Sequence, residues 1–207
     1  RRRRRSGYSM SWRRAALVLF ATVLLTGIAR FFISEPEIAL MLGEPWEDMR
    51  QRSSASIDPA IPGHYWFRLP KSEARLRFID PEYGFVTPQA RFFTVSFESN
   101  GRVSSVRISP QVEPLLLDDT LEVVLDLQEQ LSRGGWLPIR IKDNPPFADT
   151  PQWRAQLRDV NKGGTSYWHA GTKYQVRMAV HRFRDDRHPN EERYLIKLQL
   201  APPWTQP

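Results

Sequence analysis

The sequence predicts an α+β protein: an N-terminal transmembrane helix followed by one domain with a mostly antiparallel sheet and two helices on one face. Three observations carry this expectation. Nineteen residues from Ala15 to Ile33 are interrupted by a single charge, Arg30. Several later segments alternate apolar and polar residues with period two, and two segments among them switch to helical spacing, giving the order ββββαβαββ.

Residues 1–14 form a basic arm, with Arg1 to Arg5, Arg13 and Arg14 and no acidic residue before Glu35. As a helix, 15–33 covers roughly 28 Å at about 1.5 Å per residue, close to the thickness of a bilayer's hydrocarbon core. Positive flanks stay cytoplasmic, so these residues read as a signal-anchor of the inner membrane, with everything after about residue 34 exported to the periplasm. A cleavable signal peptide competes, since Gly27 and Ala29 supply small residues, but the apolar stretch is long for one. Arg13 and Arg14 hint at twin-arginine export, yet no cofactor motif follows that would need it. Residues 34–62 read as a spacer, dense in Ser, Pro and Gly from Ser53 onward, with a short apolar patch at Ile38 to Leu42 and an interfacial or packing aromatic at Trp46.

The domain is expected over 63–203. His64 to Leu69 and Arg75 to Asp80 read as the first strands and Pro81 to Pro88 as a loop. Arg91 to Glu98 and Arg102 to Ser109 form a hairpin around Asn100-Gly101, because both residues tolerate positive φ. Asp119 and Glu122 have the spacing of a capping box, and Leu121, Val124, Leu125, Gln128 and Leu131 continue a helix to Arg133, where Gly134 and Gly135 stop it. Trp136 to Ile141 is expected as a short strand that Pro138 places at an edge or leaves irregular. Thr150 caps a second helix with Pro151 at its first position and Trp153, Leu157 and Val160 as a narrow buried stripe, ending at Gly163 and Gly164. Two alternating strands, Lys173 to Phe183 and Arg193 to Leu200, complete the domain, joined by the charged turn Asp185 to Glu192.

Charge narrows the function. The chain carries net charge +7, but eight of its 30 Lys and Arg lie in residues 1–33, leaving 22 against 23 Asp and Glu. The excess is topogenic, so no nucleic-acid partner is expected. With no cysteine there is neither a disulfide framework nor a thiolate site. The four histidines lack the spacing of a helical zinc pair, and GxSxG, SxxK, P-loop and GxGxxG motifs are all missing. We therefore expect no enzyme, no catalytic or metal residue and no cofactor.

What stands out is Gly163-Gly164-Thr165-Ser166-Tyr167-Trp168-His169-Ala170-Gly171, which places Tyr167, Trp168 and His169 between glycines. Aromatics on loops make good interface anchors, although Trp168 reads equally well as a core plug beneath the second helix. Arg187 and His188, in the charged turn, are the other candidate partner-binding residues.

The segments LQEQLSRGGWLPI, WRAQLRDVNKGGTSYWHAG, KYQVRMAVHR and RYLIKLQL, within residues 119–200 and behind the basic arm and anchor, resemble small membrane-anchored periplasmic immunity proteins encoded beside secreted antibacterial effectors, as in type VI-like secretion. The resemblance implies a stoichiometric inhibitor with a toxin as its protein partner. Two rivals remain: a bitopic structural subunit of a cell-envelope or secretion complex, where Thr22 and Thr26 would support helix association, and an envelope enzyme without a recognisable motif.

Overall fold

The computed structural model describes residues 35–205; the basic arm and the expected anchor lie outside them. Among the described residues no helix is long and apolar enough to cross a membrane. From Pro36 onward the chain forms one compact unit of mixed α+β type.

A three-stranded sheet contains β1 (Glu37–Leu40), β3 (Ala74–Phe78) and β4 (Phe85–Ala90) in the order β1-β3-β4. β1 pairs parallel to β3 and β4 antiparallel to it. The seven-stranded sheet is antiparallel throughout, in the order β2-β5-β6-β10-β9-β8-β7. Its members are β2 (Trp66–Arg68), β5 (Phe93–Phe97), β6 (Val103–Ile108), β7 (Leu137–Ile139), β8 (Gly164–Ala170), β9 (Tyr174–Phe183) and β10 (Arg193–Ala201). Three helices complete the fold: α1 (Trp46–Arg52), α2 (Leu117–Arg133) and α3 (Pro151–Arg158).

Several elements differ from the sequence-based expectation. The spacer is folded: Ile38 and Leu40 of β1 and Trp46 and Met49 of α1 are buried, and the Trp46 ring meets Phe97 edge-on at 5.0 Å. Glu37 ties the start of this segment to the domain by accepting hydrogen bonds from Arg75 and Arg77 on β3. The expected loop over 81–88 contains most of β4. Pro88 is tolerated because β4 is an edge strand with a register shift there, and Thr87 Oγ1 accepts from the Leu76 amide in place of a ladder bond. Asp119 is no cap, for α2 starts at Leu117 and Asp118 and Asp119 sit in its first turn, where acids suit the helix dipole.

Other details hold. The β5–β6 hairpin closes over Asn100-Gly101, but only Gly101 takes positive φ, at 74°. Thr150 Oγ1 accepts from the Trp153 amide at 3.2 Å, with Pro151 opening α3. Val160, expected on the buried stripe, is past the end of α3 and exposed.

One face of the seven-stranded sheet is covered. Phe93, Val95 and Val106 point inward with Val176, Met178, Ile196 and Leu198, into a core shared with Leu121, Val124, Leu127 and Leu131 of α2 and with Leu76 and Phe78 of the small sheet. α3 packs on the same side: a Cβ at Gly164 would stand 2.6 Å from both Phe147 and Trp153, which is why β8 must open on glycine there. Two buried glutamines fasten the long connections. Gln128 clamps the backbone of Phe147 from both amide atoms, and Gln111 clamps Tyr194 and Ile196 in the same way.

Candidate functional site: the outward face of the large sheet

Strand alternation sends the other half of the side chains out of this sheet, and no helix among the described residues packs over them. Cross-strand register builds one row through six strands: Thr94 lies opposite Arg107, Arg107 opposite Gln199, Gln199 opposite Arg177, Arg177 opposite Tyr167 and Tyr167 opposite Ile139. Lys197 stands two residues along β10 from Gln199, on the same face. A groove of about 770 Å³ runs over this surface, lined by Phe67, Leu69, Phe92, Arg107, Arg177 and Lys197 among others.

Its charge is one-sided. The seven strands carry Arg68, Arg107, Arg177, Arg182, Arg193 and Lys197 and not one Asp or Glu. Among the described residues Arg107, Arg177 and Lys197 form no ion pair, whereas Arg154 meets Asp118 and Asp149, Arg52 meets Glu44, and Arg193 meets Glu191. The Arg177 Nε–H is buried without an acceptor. His181 responds to this field: partial burial and the neighbouring Lys197 and Arg177 hold its pKa below the ordinary imidazole value.

The groove is apolar on the β2 side. Phe67 and Phe92 are exposed, the latter by 67 %, and Trp66 stacks on Phe67 at 5.3 Å. Phe92 and Leu195 also line an adjoining cavity of about 430 Å³ that contains Arg187.

The candidates read from the sequence are scattered by this geometry. Residues 164–170 form a strand inside the sheet, not an aromatic loop. Trp168 points inward and is buried. His169, on the outward side, is also buried, with Nε2 lacking a partner. It pairs in register with Gln175, whose Oε1 accepts from the Trp204 and Thr205 amides, so the C-terminal segment closes over this end of the face. Tyr167 stays in the outward row with the Arg140 guanidinium 5.8 Å from its ring centre. Arg187 lines the second cavity; it and His188 close around the buried Asp185, and the contacts from His188 and Arg187 hold that carboxyl well below the usual range. Arg187 thus lines the adjoining cavity and Tyr167 stands beside Arg177 in the outward row, and Trp168, His169 and His188 line neither the groove nor the cavity.

Sequence reasoning missed Arg107, Arg177, Lys197, Phe67 and Phe92. The signal was the polar half of each strand pattern, where cations recur and acids never do.

Among the described residues no three metal-ligating side chains converge. Comparison of the chain with protein-family models, with curated proteins and with solved structures finds no match.

Proposed function

We propose that the protein is a membrane-anchored periplasmic protein-binding domain that neutralises a cognate toxin by stoichiometric binding, using the outward face of its large sheet. The observation that carries this reading is the face left open by the described residues, among which Arg107, Arg177 and Lys197 have no ion-pair partner beside exposed Phe67 and Phe92. Exposed aromatics next to arginine are the usual composition of a binding hot spot. The basic arm and apolar stretch of residues 1–33 support the inner-membrane location, and the resemblance to immunity proteins supports the toxin as partner.

Growth tests the reading. A strain lacking the protein should grow normally alone and suffer only among siblings that deliver the effector. Protection should return in proportion to the amount of full chain supplied, as a stoichiometric inhibitor requires, and should not return with Arg107→Glu/Lys197→Glu. A defect in isolated culture would overturn the immunity role in favour of a structural envelope subunit, and full protection by trace amounts would indicate turnover.

A further inference from the structure

The outward face has a definite chemical complement, and its register gives the dimensions. Arg107 and Arg177 flank Gln199 from the two neighbouring strands, which places their backbones about 10 Å apart at the usual interstrand spacing. Lys197, two residues from Gln199 along β10, lies about 7 Å away along the strand. Three cations therefore share one patch about 10 Å across, comparable to the Debye length of roughly 8 Å at physiological salt, so their fields overlap. Like charges held this close repel one another. Elsewhere in the domain such charges are offset by carboxylates, as Glu37 offsets Arg75 and Arg77, but no strand of this sheet contains an acid.

Beside the cations the groove wall becomes aromatic and aliphatic, with Phe67, Leu69 and Phe92. Of these Leu69 is 50 % exposed, in a segment that also exposes Tyr65 and Trp66. An occupant that satisfied only the charge would leave this wall in water. One that satisfied only the wall would leave the Arg177 guanidinium under its own uncompensated charge, with its buried Nε–H unpaired. A groove of about 770 Å³ is too small for a folded domain and of the right scale for a single chain segment.

We infer that the partner presents to this face an acidic polypeptide segment whose carboxylates meet Arg107, Arg177 and Lys197 and whose aliphatic or aromatic side chains pack on Phe67, Leu69 and Phe92. This rests on the protein-binding reading above and names the chemistry of the segment bound. It also accounts for the near-neutral charge of residues beyond 33: the domain as a whole attracts no polyanion, and selectivity is concentrated on one surface.

The test uses the full chain in nanodiscs of neutral phosphatidylcholine and a labelled synthetic dodecapeptide alternating Glu with Leu and Phe, followed by fluorescence anisotropy. The peptide should bind, weaken as salt rises, and lose about tenfold in affinity when Gln replaces Glu or when Arg107→Gln and Lys197→Gln are combined. Phe92→Ala should weaken it as well, with the salt dependence unchanged. Melting curves of the variants should match the parent, since both cations are exposed and unpaired. Equal binding of the Glu and Gln peptides, indifference to the double substitution, or no binding at all would overturn the inference. So would phosphatidylglycerol vesicles competing the peptide away, or a self-association that the same substitutions abolish. Should the peptide fail while a photoreactive residue at Gln199 still captures a protein in cells, the face binds a partner of different chemistry. Should both fail, the protein-binding reading itself falls.

Discussion

Tyr167 and Trp168 are neighbours in sequence and belong to opposite sides of the sheet. Their segment looked like a glycine-flanked loop because the inward positions 164 and 166 carry Gly and Ser while adjacent aromatics, Tyr167 and Trp168, fall on opposite faces, so the apolar alternation that reveals a strand is missing from the sequence. With the strand established, Trp168→Ala removes a buried indole and should cost about 3–5 kcal/mol in a thermal or urea melt, whereas Tyr167→Ala should cost far less. Asp80 is a second informative residue. Burial alone would raise its pKa, but the amides of Tyr83 and Glu82 and the Tyr174 hydroxyl at 2.9 Å outweigh that and lower it, while burial and Asp80 push Tyr174 up to about 12. A carboxyl whose folded pKa is depressed contributes stability that is present above its unfolded value, about 3.9, and is lost as pH falls through the folded value. Asp80→Ala should therefore cost about 1–3 kcal/mol near neutral pH by stranding three part-buried donors, and the gap from the parent should narrow in acid below about pH 4. A gap that stayed constant down to pH 2 would exclude ionised Asp80 as its source.

At the scale of elements, what the sequence revealed was local. The β5–β6 hairpin, α2, the Thr150 cap of α3, the edge position of β7 and the last two strands all announce themselves through turn chemistry or periodicity within a short window. β1 did not, because four residues, EIAL, become a strand only through parallel pairing with β3, a partner 38 positions away. β4 was hidden by Pro88, whose cost disappears only at the register shift of an edge strand that Gln130 of α2 covers from both amide atoms. The apolar stripe of α2 was legible, but its centre was not: Val124 is fully buried and Leu125 only partly. Val124→Asp should therefore cost at least about 3 kcal/mol, and Leu125→Asp should cost distinctly less, as read from chemical denaturation of the two variants. Equal losses would mean that α2 is rotated from the orientation described.

Taken whole, the molecule shows why the proposed binding face was harder to read than the core. A core announces itself by apolar periodicity, but a cationic face made of the polar half of six strands becomes visible only when register brings Arg107, Gln199 and Arg177 into one row. The compact unit starts at Pro36, so a reporter placed after residue 62 would interrupt it. An alkaline phosphatase fused after Pro207 should be active, and neutralising Arg1 to Arg5, Arg13 and Arg14 should diminish that activity by scrambling orientation. The central claim is that the outward face of the large sheet, rather than the helical side, meets the partner. The most direct measurement places a photoreactive benzoylphenylalanine either at Gln199, in the middle of the cationic row, or at Glu129, on the exposed back of α2, in the full chain in cells grown among effector-delivering siblings. Irradiation should give one dominant cross-linked species from Gln199 and none from Glu129. Adducts from Glu129 alone, or equally from both positions, would contradict it.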